Sequence, residues 1–489
     1  MTELLDPKDA TRKQGQRLLT ERCLIAADVD RTLLEQTSQE KDSFRLKLAP
    51  ELVQSAALGM QVAFLSGNSM KEVTQRILKL LVGELLYTNH LDLIDRFHFF
   101  SNSGGVYSHF PVEDEALKVL ADADADILSV DDVLRLLTEE TDGEIVIKPK
   151  FIKTEYVDRC VIGDDEIGEI VSVLEAAATD YIRDINDNKQ KYAQIYDIAS
   201  PFEHAPGVDM RWITYREDRN KKVSVQMTLK PLLSFRHAKK DHTRKLFGKD
   251  LRTKWLVWIQ KELDKRGLSH YVARPGGRSS IDVTREKLDK AYALSYLIDH
   301  LNVQGNARKG EATGSNTIYL GDEVIVGGGN DYTVTRIPGL LVLAVNPDKE
   351  LVPFSSNIFV PHDLLEGPDA THDVLSRINR MADSQLKRFA NRRGKSQHRI
   401  KNLPNAIEAF KLDMFNKRIV SKLQNLKVNS ANELQTIHAI VTLMCRDDPD
   451  ARKWIGILVN ELNEIMAELS SKTKLVQAAL GTSYDERGV

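Results

Sequence analysis

The chain has 489 residues, of which 42% are hydrophobic and 28% charged, with a formal net charge of −3. That length exceeds what one hydrophobic core covers, so two or three domains are expected. The near-neutral balance gives no electrostatic ground for a nucleic-acid partner, and no apolar run approaches the ~20 residues that a bilayer-spanning helix needs.

The first residues carry acids and no apolar stretch of signal-peptide length, which leads to the expectation of a cytoplasmic protein. Cys23, Cys160 and Cys445 stand far apart in no metal-ligand spacing and read as buried thiols of a reducing compartment. The first strong element is the apolar run Cys23 to Ala27, which ends abruptly in Asp28-Val29-Asp30-Arg31-Thr32. Such a run, bounded by polar residues, reads as a buried parallel strand. Side chains two apart on an extended chain point the same way, so Asp28 and Asp30 face one site. Two carboxylates side by side repel each other unless a cation or a shared proton lies between them.

A helix is expected over residues 49–58. A strand over 62–65 stops at Ser66-Gly67-Asn68-Ser69, and a helix over 70–81 carries Val73, Ile77 and Leu81 at helical spacing. A third strand is expected over 97–100. This β-α-β-α-β alternation argues for a parallel sheet covered by helices. Between about residues 110 and 275 the texture changes to alternating segments (144–153, 210–215 and 223–229) broken by helices over 166–185 and 252–266. Strand–helix alternation then resumes, with a helix over 289–301 and strands over 317–320, 340–345 and 357–360. From residue 381 the pattern is helical: Ser430 and Glu433 form a capping box, Asp448-Pro449 starts a helix, and Ile455, Leu458, Leu462, Ile465 and Leu469 form one apolar stripe.

The expected fold is therefore α/β, with a doubly wound, Rossmann-like parallel-sheet core over 21–108 and 276–380. An α+β unit over 109–275 interrupts it, and a helical extension over 381–489 follows. The C-terminal helices are expected to pack on the core or to join two copies of the chain.

Four short segments lie where a strand meets a loop or a helix begins. They are Asp28-Val29-Asp30-Arg31-Thr32, Ser66-Gly67-Asn68-Ser69, Lys290 within Asp289-Lys290-Ala291, and Gly321-Asp322 with Asn330-Asp331. In this order they resemble the four motifs of the haloacid dehalogenase superfamily. The long insertion before Lys290 is similar to the α+β cap of the branch that contains sugar-phosphate phosphatases and phosphomannomutases. Ser280-Ile281-Asp282-Val283 ahead of Lys290, and the glycines ahead of Asn330, resemble the phosphomannomutases in particular. Arg31 stands where that superfamily commonly has glycine. Taken singly, each motif has a plainer reading: Ser66 as a strand end, Lys290 as a surface lysine, residues 327–331 as a turn. Their ordered co-occurrence argues for a phosphotransfer site.

The resemblance implies that Asp28 is a nucleophile forming an aspartyl-phosphate, Asp30 the general acid and base, and Lys290 the charge that neutralises the phosphoryl oxygens. It implies Mg²⁺ held by Asp28, the Asp30 carbonyl and Asp322, with Asp331 and Asn330 fixing water, lysine and metal. Thr32, Ser66, Gly67, Asn68 and Asn330 are the expected phosphate contacts. Arg274 and Arg278, in the turn Arg274-Pro275-Gly276-Gly277-Arg278, read equally as substrate contacts or as parts of a hinge. The basic stretches 236–254 and 387–401 read as solvated surface. The expected activity is Mg²⁺-dependent hydrolysis of a small phosphorylated metabolite, a sugar phosphate first. A phosphomutase resembling phosphomannomutase, or a binding or regulatory protein on the same fold, are the alternatives.

Overall fold

The computed structural model describes residues 23–34, 47–111, 114–115, 117–118, 128–141, 143–188, 190, 207–213, 223–230, 253–276, 280–303, 314–324, 330–345, 357–361 and 365–391. Strand β1 (Leu24–Asp28) runs down the middle of a seven-stranded sheet and is buried along its whole length. On one side it pairs in parallel with β2 (Gln61–Leu65), which pairs in parallel with β3 (Phe97–Ser101). Edge strand β4 (Val106–His109) returns antiparallel to β3, a hairpin that the strand–helix alternation does not announce.

The chain reaches the other side of β1 only much later. There β11 (Thr317–Gly321), β12 (Leu341–Ala344) and β13 (Ile358–Phe359) continue the sheet in parallel. The order β13-β12-β11-β1-β2-β3-β4 puts the switch of direction between β1 and β11, and the carboxyl ends of strands at such a switch frame the crevice where ligands bind. Runs such as Leu24-Ile25-Ala26-Ala27 and Val62-Ala63-Phe64-Leu65 are apolar without alternation because helices cover both faces.

Helix α1 (Ala49–Ala57) follows β1, with proline in its first turn, where a missing N–H costs nothing. After β2 the capping box of Ser69 and Glu72 starts α2. This helix runs through Met70–Val73, a π-turn over Thr74–Leu78 and Lys79–Tyr87, past the expected end at 81. Helix α3 (Val130–Leu137) leads into a hairpin of β5 (Thr138–Thr141) and β6 (Glu144–Ile147), where one strand over 144–153 was expected.

Helix α4 (Asp164–Asp187) and helix α5 (Thr253–Lys265) pack with a four-stranded antiparallel sheet made of β7 (Gly207–Ile213), β8 (Val223–Lys230), β9 (Tyr271–Gly276) and β10 (Ser280–Arg285), in the order β7-β8-β10-β9. Ile170, Val173, Trp255 and Ile259 from these helices meet Met227, Leu229, Ile281 and Val283 of the sheet in a hydrophobic cluster separate from the main core. The opposite face of β8 and β10 buries a polar row, in which Gln226 Nε2 donates to Thr228 Oγ1 and Thr228 Oγ1 to Asp282 Oδ1, each at 2.8 Å.

Two expected boundaries shift. The segment over 280–285 pairs with β8 and β9, so it belongs to the smaller sheet, and the main layer resumes with helix α6 (Lys290–Val303) rather than at 276. Helix α7 (Gly367–Asn391) runs straight across 381 and packs on α1, where Ser55 Oγ donates to Asn379 Oδ1 at 2.8 Å. Cys23 and Cys160 are buried thiols, as expected. Cys445 and the helical signals beyond 391 lie outside the described residues. Among the described residues no helix is long and apolar enough to cross a membrane.

Candidate active site

β1 and β11 lie side by side with Ala27 level with Leu320, and both are buried along their whole length. Asp28 ends β1 and Asp322 follows β11, so the register alone makes them neighbours. Asp331 enters from the turn over Asn330–Arg336, and one oxygen from each of Asp28, Asp322 and Asp331 lies within 4.8 Å of the others. Lys290, the first residue of α6, puts Nζ 2.6 Å from Asp28 Oδ1 and 2.6 Å from Asp331 Oδ1. A lysine in the first turn of a helix opposes the helix dipole, and the two carboxylates offset that.

Asp331 is fully enclosed. Tyr319 Oη donates to its Oδ1 at 2.5 Å and the Glu323 N–H to its Oδ2 at 2.8 Å. A Cβ at position 321 would stand 2.6 Å from the Asp331 carboxyl group, so only glycine lets that group in. With both oxygens engaged, Asp331 is built to hold Lys290, while Asp28 and Asp322 keep oxygens for a cation.

The charges are costly where they lie. Burial pushes Asp28 up to about 8, with Asp331 and Asp30 adding to the rise and Lys290 opposing it. Burial, followed by Glu323, Asp331 and Asp28, holds Asp322 well above the usual carboxylate range, against the pull of Arg31. Burial works to discharge Lys290, but Asp28 and Asp331 outweigh it and keep the ammonium charged. Three buried carboxylates thus share one ammonium, plus a guanidinium at the edge, where Arg31 Nη1 lies 3.3 Å from Asp322 Oδ2. An all-oxygen donor set with surplus negative charge fits a hard divalent cation such as Mg²⁺.

Asp30 sits one step outward, its side chain 34% exposed. Asn68 Nδ2 donates to its Oδ2 at 2.7 Å, and Arg76 Nη1 lies 2.8 Å from its Oδ1. Ser66 Oγ accepts from the Asn68 N–H at 3.0 Å, tying the second motif to the first through Asn68. The turn after β3 braces this corner from behind: the Asn102 N–H donates to Asn68 O at 2.7 Å and the Ser103 N–H to Ser66 O at 3.0 Å. Asn102 and Ser103 hold φ of 51° and 55°, a left-handed pair that costs side-chain-bearing residues energy and clusters at functional sites. Thr32 Oγ1 and both side-chain amide atoms of Asn102 are buried with no protein hydrogen-bond partner among the described residues.

The structure therefore gathers Asp28, Asp30, Thr32, Ser66, Gly67, Asn68, Lys290, Asp322, Asn330 and Asp331 on one rim of the sheet. Arg274 is used differently. Its guanidinium donates to Thr284 Oγ1 and Leu288 O, each at 2.7 Å, and also to Glu286 O, so it anchors the segment entering α6. Arg278 lies outside the described residues. Sequence reasoning overlooked Arg76, because nothing local distinguishes it from a surface arginine on α2. It also overlooked Tyr319, although a phenol in an otherwise apolar run signals a hydroxyl in need of a partner.

No family model matches the chain, and no curated protein does. Among solved structures, an N-terminally truncated IMP-nucleotidase from Plasmodium falciparum is 15% identical with a TM-score of 0.40, over 76% of this chain and 72% of that one. A haloacid dehalogenase-like hydrolase from Bacteroides thetaiotaomicron is 14% identical with a TM-score of 0.35, over 73% of this chain and 99% of that one. A sucrose-phosphatase from Synechocystis, bound to sucrose and phosphate, is 12% identical with a TM-score of 0.31, over 68% of this chain and 85% of that one. None of these three is a phosphomannomutase, so the narrower resemblance gains no support from them.

Proposed function

We propose that the chain is a Mg²⁺-dependent phosphohydrolase of the haloacid dehalogenase type, acting on a small phosphorylated metabolite. The observation that carries this reading is the convergence of Asp28, Lys290, Asp322 and Asp331, drawn from three distant stretches, into one buried cluster at the switch point of the sheet. Asp28 attacks phosphorus through its free oxygen and becomes an aspartyl-phosphate, which divides one difficult displacement into two easier ones. Asp30, held by Asn68 and Arg76, gives its proton to the leaving oxygen and later takes one from the attacking water. Lys290 balances charge on Asp28 and on the phosphoryl oxygens, while Asp331 and Tyr319 fix its position. Asp28 and Asp322 would hold Mg²⁺, which when bound supplies the positive charge that lets a carboxylate approach a phosphate dianion. The preference for a sugar phosphate rests on the motif resemblance.

Phosphate release from a panel of phosphorylated metabolites, with and without Mg²⁺, tests the reading. Turnover is expected with Mg²⁺, without any activating bisphosphate, and is expected to fall by about 10⁴-fold or more in Asp28→Asn. Turnover unchanged in that variant rejects the nucleophile.

A further inference from the structure

Arg31 holds φ of 58°, a left-handed conformation that costs an arginine energy and a glycine none. Its backbone is clamped there. The Arg31 N–H donates to Leu34 O at 2.7 Å, and Gly367 packs so closely that a Cβ on it would stand 2.7 Å from Arg31 O. The side chain is looser. It is 22% exposed and reaches in from the rim to Asp322, which is 5% exposed, with 3.3 Å between Nη1 and Oδ2. That separation is longer than the ~2.7–2.9 Å of a tight charge-assisted hydrogen bond. Among the described residues Arg31 is the only cation paired with Asp322, because Lys290 serves Asp28 and Asp331.

We propose that Arg31 is a displaceable internal counter-ion: it competes with the divalent cation for Asp322, and once displaced it offers its charge to the anionic ligand at the rim. The inference rests on the divalent-ion reading of the site given above. A guanidinium and a dication at one carboxylate repel each other, so the arginine weakens ion binding. A phosphate group that takes up the guanidinium removes the competitor, so ion and phosphate bind with mutual reinforcement, and by linkage the effect is reciprocal.

The test is Mn²⁺ affinity, read by electron paramagnetic resonance on the full chain with and without inorganic phosphate, for wild type, Arg31→Gly and Arg31→Gln. Glycine suits φ of 58°, so Arg31→Gly is expected to fold, and Arg31→Gln removes the charge while keeping a side chain. Without phosphate, both variants are expected to bind Mn²⁺ about tenfold more tightly than wild type, within the usual range of coupling between sites. Phosphate is expected to tighten Mn²⁺ binding by about fivefold in wild type and by less in both variants. Wild-type binding with no gain in either variant, or a gain in Arg31→Gly alone, overturns the proposal and leaves the ion site standing. An undiminished phosphate effect in both variants overturns the coupling. Absence of Mn²⁺ binding in all three proteins overturns the proposal and the reading of the site together.

Discussion

The two rims of the main sheet bury ionisable groups in opposite ways. At the carboxyl ends of β1 and β11, three carboxylates and a lysine lie out of water, where burial raises Asp28 and Asp322 while Asp28 and Asp331 keep the lysine charged. At the opposite rim His98, at the start of β3, stacks on His109 with ring centres 4.7 Å apart, and its nitrogens meet Tyr107 Oη at 2.9 Å and Gln61 Oε1 at 3.0 Å. The Gln61 oxygen only accepts, so the ring donates from Nε2; in the neutral imidazole that burial favours, Nδ1 is then left to accept the phenol proton. Burial, then the neighbouring His109, hold His98 well below its usual value. A neutral imidazole becomes part of the core; carboxylates in excess of one ammonium must hold protons there until a cation takes their place, and so call for a ligand.

The strongest way to break this contrast is to remove the cation that the first rim depends on. Lys290→Met leaves Asp28 and Asp331 buried without a counter-ion, and unfolding free energy at a pH above about 8 is expected to fall by about 3–5 kcal/mol. Urea denaturation measures this, and a loss below about 1 kcal/mol would mean that the cluster is solvated.

Acid and alkali separate the rims next. Asp28 is raised from 3.8 to about 8, so between those values the folded chain keeps a proton that the unfolded chain has lost. Without added divalent ions, stability from this group therefore falls as pH rises from about 4 to about 8. His98 acts in the other sense. Below its usual 6.5 the unfolded chain takes up a proton that the folded chain refuses, so stability falls with falling pH. Melting temperatures across this range should show Asp28→Asn with a shallower decline toward high pH, the part that remains belonging to Asp322, and with the decline toward low pH unchanged. A variant that kept both slopes would place the alkaline titration elsewhere.

What the sequence made readable follows from the same contrast. Asp28, Asp30 and Asp322 were legible because apolar runs that stop at charged residues have no use for those charges in a core, and Lys290 only because it falls in order among them. The histidine rim carried no such mark, since His98 and His109 alternate with aromatic residues as any strand does. Arg76 and Arg274 were illegible for another reason: their roles are set by Asp30 and by the carbonyls before α6, partners that folding brings near. Strand β10 was placed with the wrong sheet because a buried strand reads the same whichever sheet it joins.

A gentler perturbation concerns the half-exposed Asp30. Asn68→Ala and Arg76→Met each release one of its oxygens, and kcat is expected to fall by about tenfold to a hundredfold, the cost of a misplaced catalytic group. Stability should change by less than about 1 kcal/mol because the pair is partly in water. A loss of stability without loss of kcat would make the two residues structural.

The finest test deletes one phenolic oxygen from each rim. Tyr319→Phe removes a hydrogen bond to the buried Asp331 carboxylate, and Tyr107→Phe removes one to the neutral His98 ring. Hydrogen bonds to charged groups contribute about 1.5–3 kcal/mol and neutral ones about 0.5–1.5 kcal/mol, so the first change should cost more, by about 1 kcal/mol. The two substitutions remove the same atom from two fully buried side chains, which leaves charge as the main variable. Equal losses in paired denaturation curves would mean that Asp331 carries no more charge than the imidazole, and Lys290 would then be neutralised chiefly by Asp28.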